Sequence, residues 1–169
     1  KLFLLQDPNF NTVETDYFSV VSSIDDENLA QIDRVLITDK VAGFVTRNLG
    51  DYPHERLVVS NVDYRKKPIY GLNLLPDFFR PFPDSFQYEL KLLKTVLYNY
   101  LENTLLINPR KDQWLLDGFQ IYYLKKLKDN PSYQDKVEFN ILWTCFDLST
   151  SKELEILKQE KFSDEEIIV

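Results

Sequence analysis

The chain has 169 residues, which is enough for one domain with a well-formed hydrophobic core. Apolar residues make up 44% of it and aromatic residues 14%, so an intrinsically disordered chain is excluded. The formal net charge is −7, and we expect no nucleic-acid partner, because proteins that bind nucleic acid present a basic excess to the phosphates. No apolar run approaches the roughly 18 residues that a membrane span needs.

Composition also bears on the organisation and origin of the chain. It begins at Lys1 and has no methionine, so we expect a fragment of a longer protein. The single cysteine, Cys145, cannot form an intrachain disulfide, and its aromatic neighbours indicate a buried thiol. We predict one domain over residues 1–169, with a strand-rich part containing one long helix at 1–83 and a helical part at 84–169. The compartment stays open, with the bacterial periplasm or cell envelope as our hypothesis.

Three short runs in the first half of the chain predict strands. Lys1–Leu5 is apolar, and Asp16–Ser22 combines aromatic with β-branched residues, which is typical of strands. Arg56–Val62 has the composition of a buried strand. After it, residues 63–83 contain four prolines, so we expect extended or looped chain there.

A long helix is predicted between the second and third of these strands, from Glu27 to Leu49. A segment that resembles a capping box, Ser23–Asp26, precedes it, and Gly50 followed by Pro53 ends it. The apolar residues at approximately helical spacing are Leu29, Ile32, Leu36, Val41, Phe44 and Val45.

The second half of the chain is predicted to be helical. Asp84 caps a second long helix, and Asn108-Pro109 stops it. A third helix follows from about Gln113 to Leu127, with further helical segments over Val137–Phe146 and Ser151–Gln159. The apolar face of the second helix comprises Phe86, Leu90, Leu93, Leu97, Tyr100 or Leu101, and Leu105. Strands followed by helices predict an α+β fold.

Common catalytic constellations are missing from the sequence. His54 is the one histidine, and its place after Tyr52-Pro53 is typical of a surface turn. One histidine and one cysteine cannot supply the three or four nitrogen and sulfur ligands of a typical zinc site. The four glycines are scattered, so they form no phosphate-binding loop.

Two carboxylates nevertheless attract interest. Glu89 is predicted in the first turn of the second long helix, and Asp117 lies near the start of the third. Consecutive helices with a short link usually pack together, so the two carboxylates could face each other. Alternatively, each could simply complement the positive end of its own helix.

Three motifs follow one another in the order found in a known family. They are Leu49-Gly-Asp-Tyr-Pro53, Tyr88-Glu-Leu-Lys-Leu92 and Trp114-Leu-Leu-Asp-Gly-Phe-Gln-Ile-Tyr122, and the last is the most specific. In this order they resemble the catalytic domain of the gluzincin aminopeptidases, which are zinc peptidases with a thermolysin-like domain. The resemblance spans roughly Glu27 to Leu127. It implies a fragment of a thermolysin-like catalytic domain, with a small N-terminal sheet followed by a helical bundle.

The resemblance also implies roles for particular residues. In the family, an H-E-x-x-H helix supplies two zinc-binding histidines and a glutamate general base, and the glutamate of W-L-x-E-G is the third ligand. By position, Glu89 stands at the general base and Asp117 at the third ligand, while Tyr88 and Leu92 replace the histidines. Tyrosine and leucine cannot replace neutral imidazoles at zinc, and aspartate is shorter than glutamate. The metal site is therefore expected to be dismantled.

A substrate-binding segment is implied as well. The family's G-x-M-E-N strand is replaced here by Lys67-Pro-Ile-Tyr-Gly-Leu-Asn73. The resemblance therefore implies Tyr70, Gly71 and Asn73 as substrate-binding residues.

These observations favour a non-catalytic peptidase-like domain that binds a peptide or protein partner, or has a structural role, without a cofactor. One alternative is a zinc metallopeptidase of the aminopeptidase type whose metal ligands lie outside this chain. Another is an unrelated α+β protein-interaction domain. In the peptidase-like frame, we expect Trp114, Leu115 and Phe119 to form the core face of the third helix.

Overall fold

A computed structural model describes residues 10–24, 28–66, 68–69, 83–105, 108, 111 and 113–128. The chain divides into two compact units. The first comprises Lys1–Pro68 and Pro83–Thr104, and the second comprises Ile69–Phe82 and Leu105–Val169. The predictions for Lys1–Leu5, for Cys145 and for the helices after residue 128 lie outside the described residues.

The first unit contains a three-stranded sheet. Its strands are β1 (Asn11–Val13), β2 (Ser19–Ser22) and β3 (Arg56–Val59), in the spatial order β1-β2-β3. β1 pairs with β2 antiparallel, and β2 pairs with β3 in parallel. Parallel neighbours need a crossover connection, and the helix α1 (Gln31–Leu49) lies in that connection. The predicted α+β class is confirmed.

The start of α1 differs from the prediction, whereas its end agrees. The helix begins at Gln31 rather than Glu27, and its N-cap residue makes no side-chain hydrogen bond. The hydroxyl of Ser23 instead accepts a hydrogen bond from the backbone N–H of Asn61 at 3.0 Å. This bond links the segment that follows β2 to the segment that follows β3. The predicted capping box is therefore wrong. Gly50 ends the helix at φ 99°, a conformation that costs glycine little.

The apolar residues of α1 are only partly covered. Val41, Phe44 and Val45 are buried, as their spacing predicts. Ile32 and Leu36, however, are 63% and 61% exposed. With 3.6 residues per turn, Leu36 lies on the opposite side of the helix from Val45, nine positions later, so these apolar residues do not form a single face.

A short helix, α2 (Asn61–Lys66), lies where we predicted the end of a strand and the start of a loop. Ser60 explains the difference, because its hydroxyl accepts the N–H of Asp63 at 3.1 Å and donates to the Asp63 carboxylate at 2.6 Å. This S-x-x-D pattern is a capping signal of the kind that begins helices. The sequence contains this signal, but the four prolines of residues 63–83 favoured the prediction of a loop.

The helix α3 (Asp84–Thr104) is the centre of the first unit. It begins at Asp84, as predicted, and contacts α1, α2 and β3. The side chains with no exposed surface along it are Leu92, Leu93, Val96 and Leu97. Burying each such side chain stabilises the fold by roughly 1.5–3 kcal/mol relative to leaving it in water.

In the second unit, α4 (Gln113–Lys128) confirms the predicted third helix but not its core face. Trp114 and Phe119 are 38% and 37% exposed. The buried positions follow the spacing of three and four residues that defines one helix face. They are Leu116, Asp117, Gln120, Ile121 and Leu124. Across the described part of the chain, no helix has both the length and the apolar character that a membrane crossing demands.

Candidate functional site

The Tyr88–Leu92 segment of α3 lies inside the first unit. Tyr88 is 3% exposed, and Leu92 has no exposed surface. Residues four positions apart share one face of a helix, so these two side chains point the same way. The positions that the resemblance assigns to zinc-binding histidines are therefore packed in the core.

Glu89 is buried beside them and forms an ion pair with Lys40. Its side chain retains 8% of its accessible surface, and that of Lys40 retains 34%. The Lys40 Nζ lies 3.1 Å from Oε1 and 3.4 Å from Oε2, so the ammonium reaches both carboxylate oxygens. An uncompensated carboxylate at this depth would cost several kcal/mol. Lys40 therefore joins α1 to α3 and compensates the charge of Glu89.

The interpretation of Glu89 as a helix-terminal charge is wrong. The acidic residue in the first turn of α3 is Asp84, and Glu89 lies beyond that turn. The stabilising effect of a negative charge at a helix N-terminus falls off within one turn. The ammonium of Lys40, which sequence reasoning missed, stabilises this carboxylate instead.

The residues at the expected metal position do not fit zinc. Leu92 carries no donor atom, and both oxygens of Glu89 already lie close to the Lys40 ammonium. A divalent cation bound to Glu89 would lie close to this ammonium, and two positive charges a few ångströms apart repel strongly in a partly buried site. Among the residues that the structure describes, no cluster of three histidine, cysteine, aspartate or glutamate side chains could hold a metal ion.

Asp117 is buried on α4 in the second unit. Its residue is 6% exposed, and its Oδ1 accepts a hydrogen bond from the Gln113 Nε2 at 3.3 Å, one turn earlier. The first turn of α4 carries no acidic residue, so the interpretation of Asp117 as a helix-terminal charge is also wrong. Because Glu89 belongs to the first unit, the predicted approach of the two carboxylates stays a prediction.

The Leu49–Pro53 motif is held by the far end of α3. The Tyr100 hydroxyl donates to the backbone carbonyl of Gly50 at 2.8 Å, and the carbonyl of Asp51 lies 3.2 Å away. Burial, followed by the negative charge of Asp51, raises the pKa of Tyr100. The phenol therefore stays protonated and keeps its donor at neutral pH.

Tyr52 places an aromatic cluster beside this contact. Its ring centroid lies 5.3 Å from that of Phe18, 5.2 Å from that of Tyr100 and 5.4 Å from that of His54. Burial raises the pKa of Tyr52, although the Asn103 amide, which donates to its hydroxyl at 2.9 Å, acts against that rise. His54 itself is exposed in a bend, as its sequence context predicts. The motif therefore has a structural role at the end of α1.

Comparisons of the chain with family models, with curated proteins and with solved structures found no match. The likeness to gluzincin aminopeptidases therefore rests on the three sequence motifs and stays a prediction. The implied substrate-binding residues Tyr70, Gly71 and Asn73 lie outside the described residues.

Proposed function

We propose that the chain is a non-catalytic, peptidase-like domain that holds a peptide or protein partner, or has a structural role in a larger protein, without zinc. The frame would be that of a thermolysin-like catalytic domain, as the three motifs imply. The observation that carries the proposal is the ion pair between Glu89 and Lys40.

A metallopeptidase needs its glutamate as a proton acceptor. The general base must lie within hydrogen-bonding reach of the water that it activates, and that water must be bound to the metal. In this chain both oxygens of Glu89 lie close to the Lys40 ammonium, and the carboxylate is buried. A carboxylate in this position acts as a structural anchor between two helices, and we assign it that role.

The histidine positions support the same proposal. Tyr88 and Leu92 are part of the hydrophobic core, where a change to histidine would bury a polar ring. Neither residue offers the neutral imidazole nitrogen that zinc coordination requires. A role in binding needs none of these ligands.

Metal analysis combined with an aminopeptidase assay tests the proposal. We expect the purified protein to hold far less than one zinc per chain and to hydrolyse chromogenic amino-acid amides no faster than buffer. Glu89→Gln should leave that baseline unchanged, as should Glu102→Gln, which alters an exposed glutamate on the same helix. Stoichiometric zinc, with turnover that Glu89→Gln abolishes and Glu102→Gln preserves, would establish the metallopeptidase alternative.

A further inference from the structure

We infer that one face of α1 is a docking surface for a partner protein, and that the partner binds it with a basic amphipathic helix. This surface, the α1 stripe, comprises Ile32, Leu36, Gly43 and the ring of Tyr17 that lies on Gly43. It contains none of the residues that carry the proposed function. The inference therefore goes beyond that function and does not rest on it.

The first step of the argument is the exposure and alignment of the apolar side chains. Ile32 and Leu36 are 63% and 61% exposed, and they lie four positions apart, so they are neighbours on one side of α1. Gly43 comes two helical turns after Leu36 and returns to the same side. The line from Ile32 to Gly43 is about 16 Å long. Adjacent exposed apolar residues indicate an interaction site, whereas scattered ones do not.

Tyr17 shows what this side of α1 accepts. A Cβ atom at Gly43 would lie 2.9 Å from the ring carbon Cε2 of Tyr17, so the ring rests directly on the helix backbone. The backbone N–H of Asp16 lies 3.5 Å from the Asp39 Oδ1 and donates a long hydrogen bond to it. The segment before β2 therefore packs on one end of the stripe, and the exposed apolar surface continues beyond it towards the start of α1.

Carboxylates lie on both sides of the stripe. Asp33 is three positions before Leu36 and Asp39 is three positions after it. With 3.6 residues per turn, the two aspartates therefore lie about 60° to either side of that leucine. The backbone contact of Asp16 brings a third carboxylate beside Asp39.

The cations of α1 contact other groups. The guanidinium of Arg34 donates to the carbonyl of Leu29 at 3.1 and 3.2 Å, and the ammonium of Lys40 pairs with Glu89 of α3. Arg47 lies in the last turn of the helix. The aspartates therefore give the stripe around Leu36 an acidic rim.

An apolar stripe with an acidic rim selects among possible occupants. In a symmetric contact with a second copy of the chain, the same aspartates would face each other, which disfavours that pairing. Anionic lipid headgroups would be repelled in the same way. A helix with apolar side chains one turn apart and lysine or arginine on both flanks complements the shape and the charge of the stripe. We therefore assign the stripe to that partner.

Titration with a designed peptide tests the inference. The probe is a fluorescein-labelled amphipathic helix of about four turns, with leucines one turn apart and lysines on both flanks. We expect saturable binding in the micromolar range by fluorescence anisotropy, and weaker binding as NaCl is raised. A matched peptide with glutamate in place of each lysine should bind at least about tenfold more weakly.

Variants of the stripe locate the binding. Ile32→Ser and Leu36→Ser shorten exposed side chains, so each should weaken binding about tenfold and leave the urea unfolding midpoint nearly unchanged. Val62→Ser is the matched control, because it changes an apolar residue of α2 that is 61% exposed, and it should bind like the parent. Asp33→Asn combined with Asp39→Asn should weaken binding and reduce its dependence on salt.

Several results would overturn the inference. The absence of saturable binding, equal affinity for both peptides, or equal weakening by Val62→Ser and Leu36→Ser would remove the stripe as a site for a basic helix. Dimerisation in sedimentation equilibrium that Leu36→Ser abolishes would assign the stripe to a second copy. Cosedimentation with phosphatidylserine vesicles that Leu36→Ser abolishes would assign it to a membrane. Zinc-dependent turnover would overturn the proposed function alone and leave the stripe unaffected.

Discussion

Glu89 of α3 and Asp117 of α4 are equally buried but held in different ways. Each residue is 6% exposed. Glu89 pairs with the ammonium of Lys40, which lies 49 positions earlier in the chain. Asp117 accepts a hydrogen bond from the neutral amide of Gln113, one turn away on its own helix. The comparison teaches that similarly buried carboxylates can have partners at very different distances along the chain.

The largest predicted effect concerns the core around Glu89. Leu92→Ala should lower the free energy of unfolding by about 3 kcal/mol, because it removes a fully buried side chain from a packed interior. Leu36→Ala is the matched control, since that leucine is 61% exposed and its loss should cost under about 0.5 kcal/mol. Urea unfolding measures both. Equal losses would indicate that Leu92 lines an open cleft, as a histidine ligand would.

The second prediction separates the two carboxylates directly. Lys40→Met removes the ammonium that faces the buried Glu89, so we expect a loss of about 2 kcal/mol, less than for a fully buried pair because Lys40 is partly exposed. Combining it with Glu89→Gln should recover part of the loss. A double-mutant cycle of urea unfolding measures this coupling. Lys66→Met, at an exposed pair, should change stability little.

The sequence predicted local features of the fold better than distant contacts. The starts of α3 at Asp84 and of α4 at Gln113 agree with the prediction, whereas α3 ends at Thr104, before the predicted stop at Asn108-Pro109. The helix α2 could also have been predicted from the sequence, because Ser60 and Asp63 form a capping signal. In these cases the residues that decide the structure lie within one turn of each other.

The candidate site could be predicted only in part, for a physical reason. The motifs place Glu89 and Asp117 on helices, and the structure agrees. The partner of Glu89 depends on how α1 packs against α3, which helical periodicity does not specify. Helical geometry does, by contrast, separate the exposed Leu36 from the buried Val45, because the two residues lie on opposite sides of α1.

The third prediction compares two tyrosines, Tyr100 of α3 and Tyr123 of α4. Tyr100→Phe should cost about 1 kcal/mol at pH 7, because the hydroxyl donates to the backbone carbonyl of Gly50. Tyr123→Phe is the matched control and should cost less, because the interactions described for Tyr123 involve its ring. Urea unfolding at neutral pH measures the difference. Equal losses would show that the hydrogen bond of the Tyr100 hydroxyl does not contribute to stability.

Tyr100 also predicts that the free energy of unfolding depends on pH. Burial raises the pKa of Tyr100, so above pH 10 the folded state holds that proton more tightly than the unfolded state. This contribution to stability is complete below pH 10 and is lost as the pH rises through the folded-state pKa. Tyr100→Phe should therefore flatten part of the decline in unfolding free energy above pH 10. The difference in phenolate absorbance between the parent protein and Tyr100→Phe monitors the titration of this one residue.

The smallest predicted effect completes the comparison of the carboxylates. Asp117→Asn keeps the shape of the side chain, and its carbonyl oxygen can still accept the hydrogen bond from Gln113. We therefore expect a loss below about 1 kcal/mol, clearly smaller than that of Lys40→Met. Gln113→Ala removes the same hydrogen bond from the other side and should cost a similar amount. If Asp117→Asn instead cost as much as Lys40→Met, its negative charge would have to be compensated by a cation, and the contrast with Glu89 would fail.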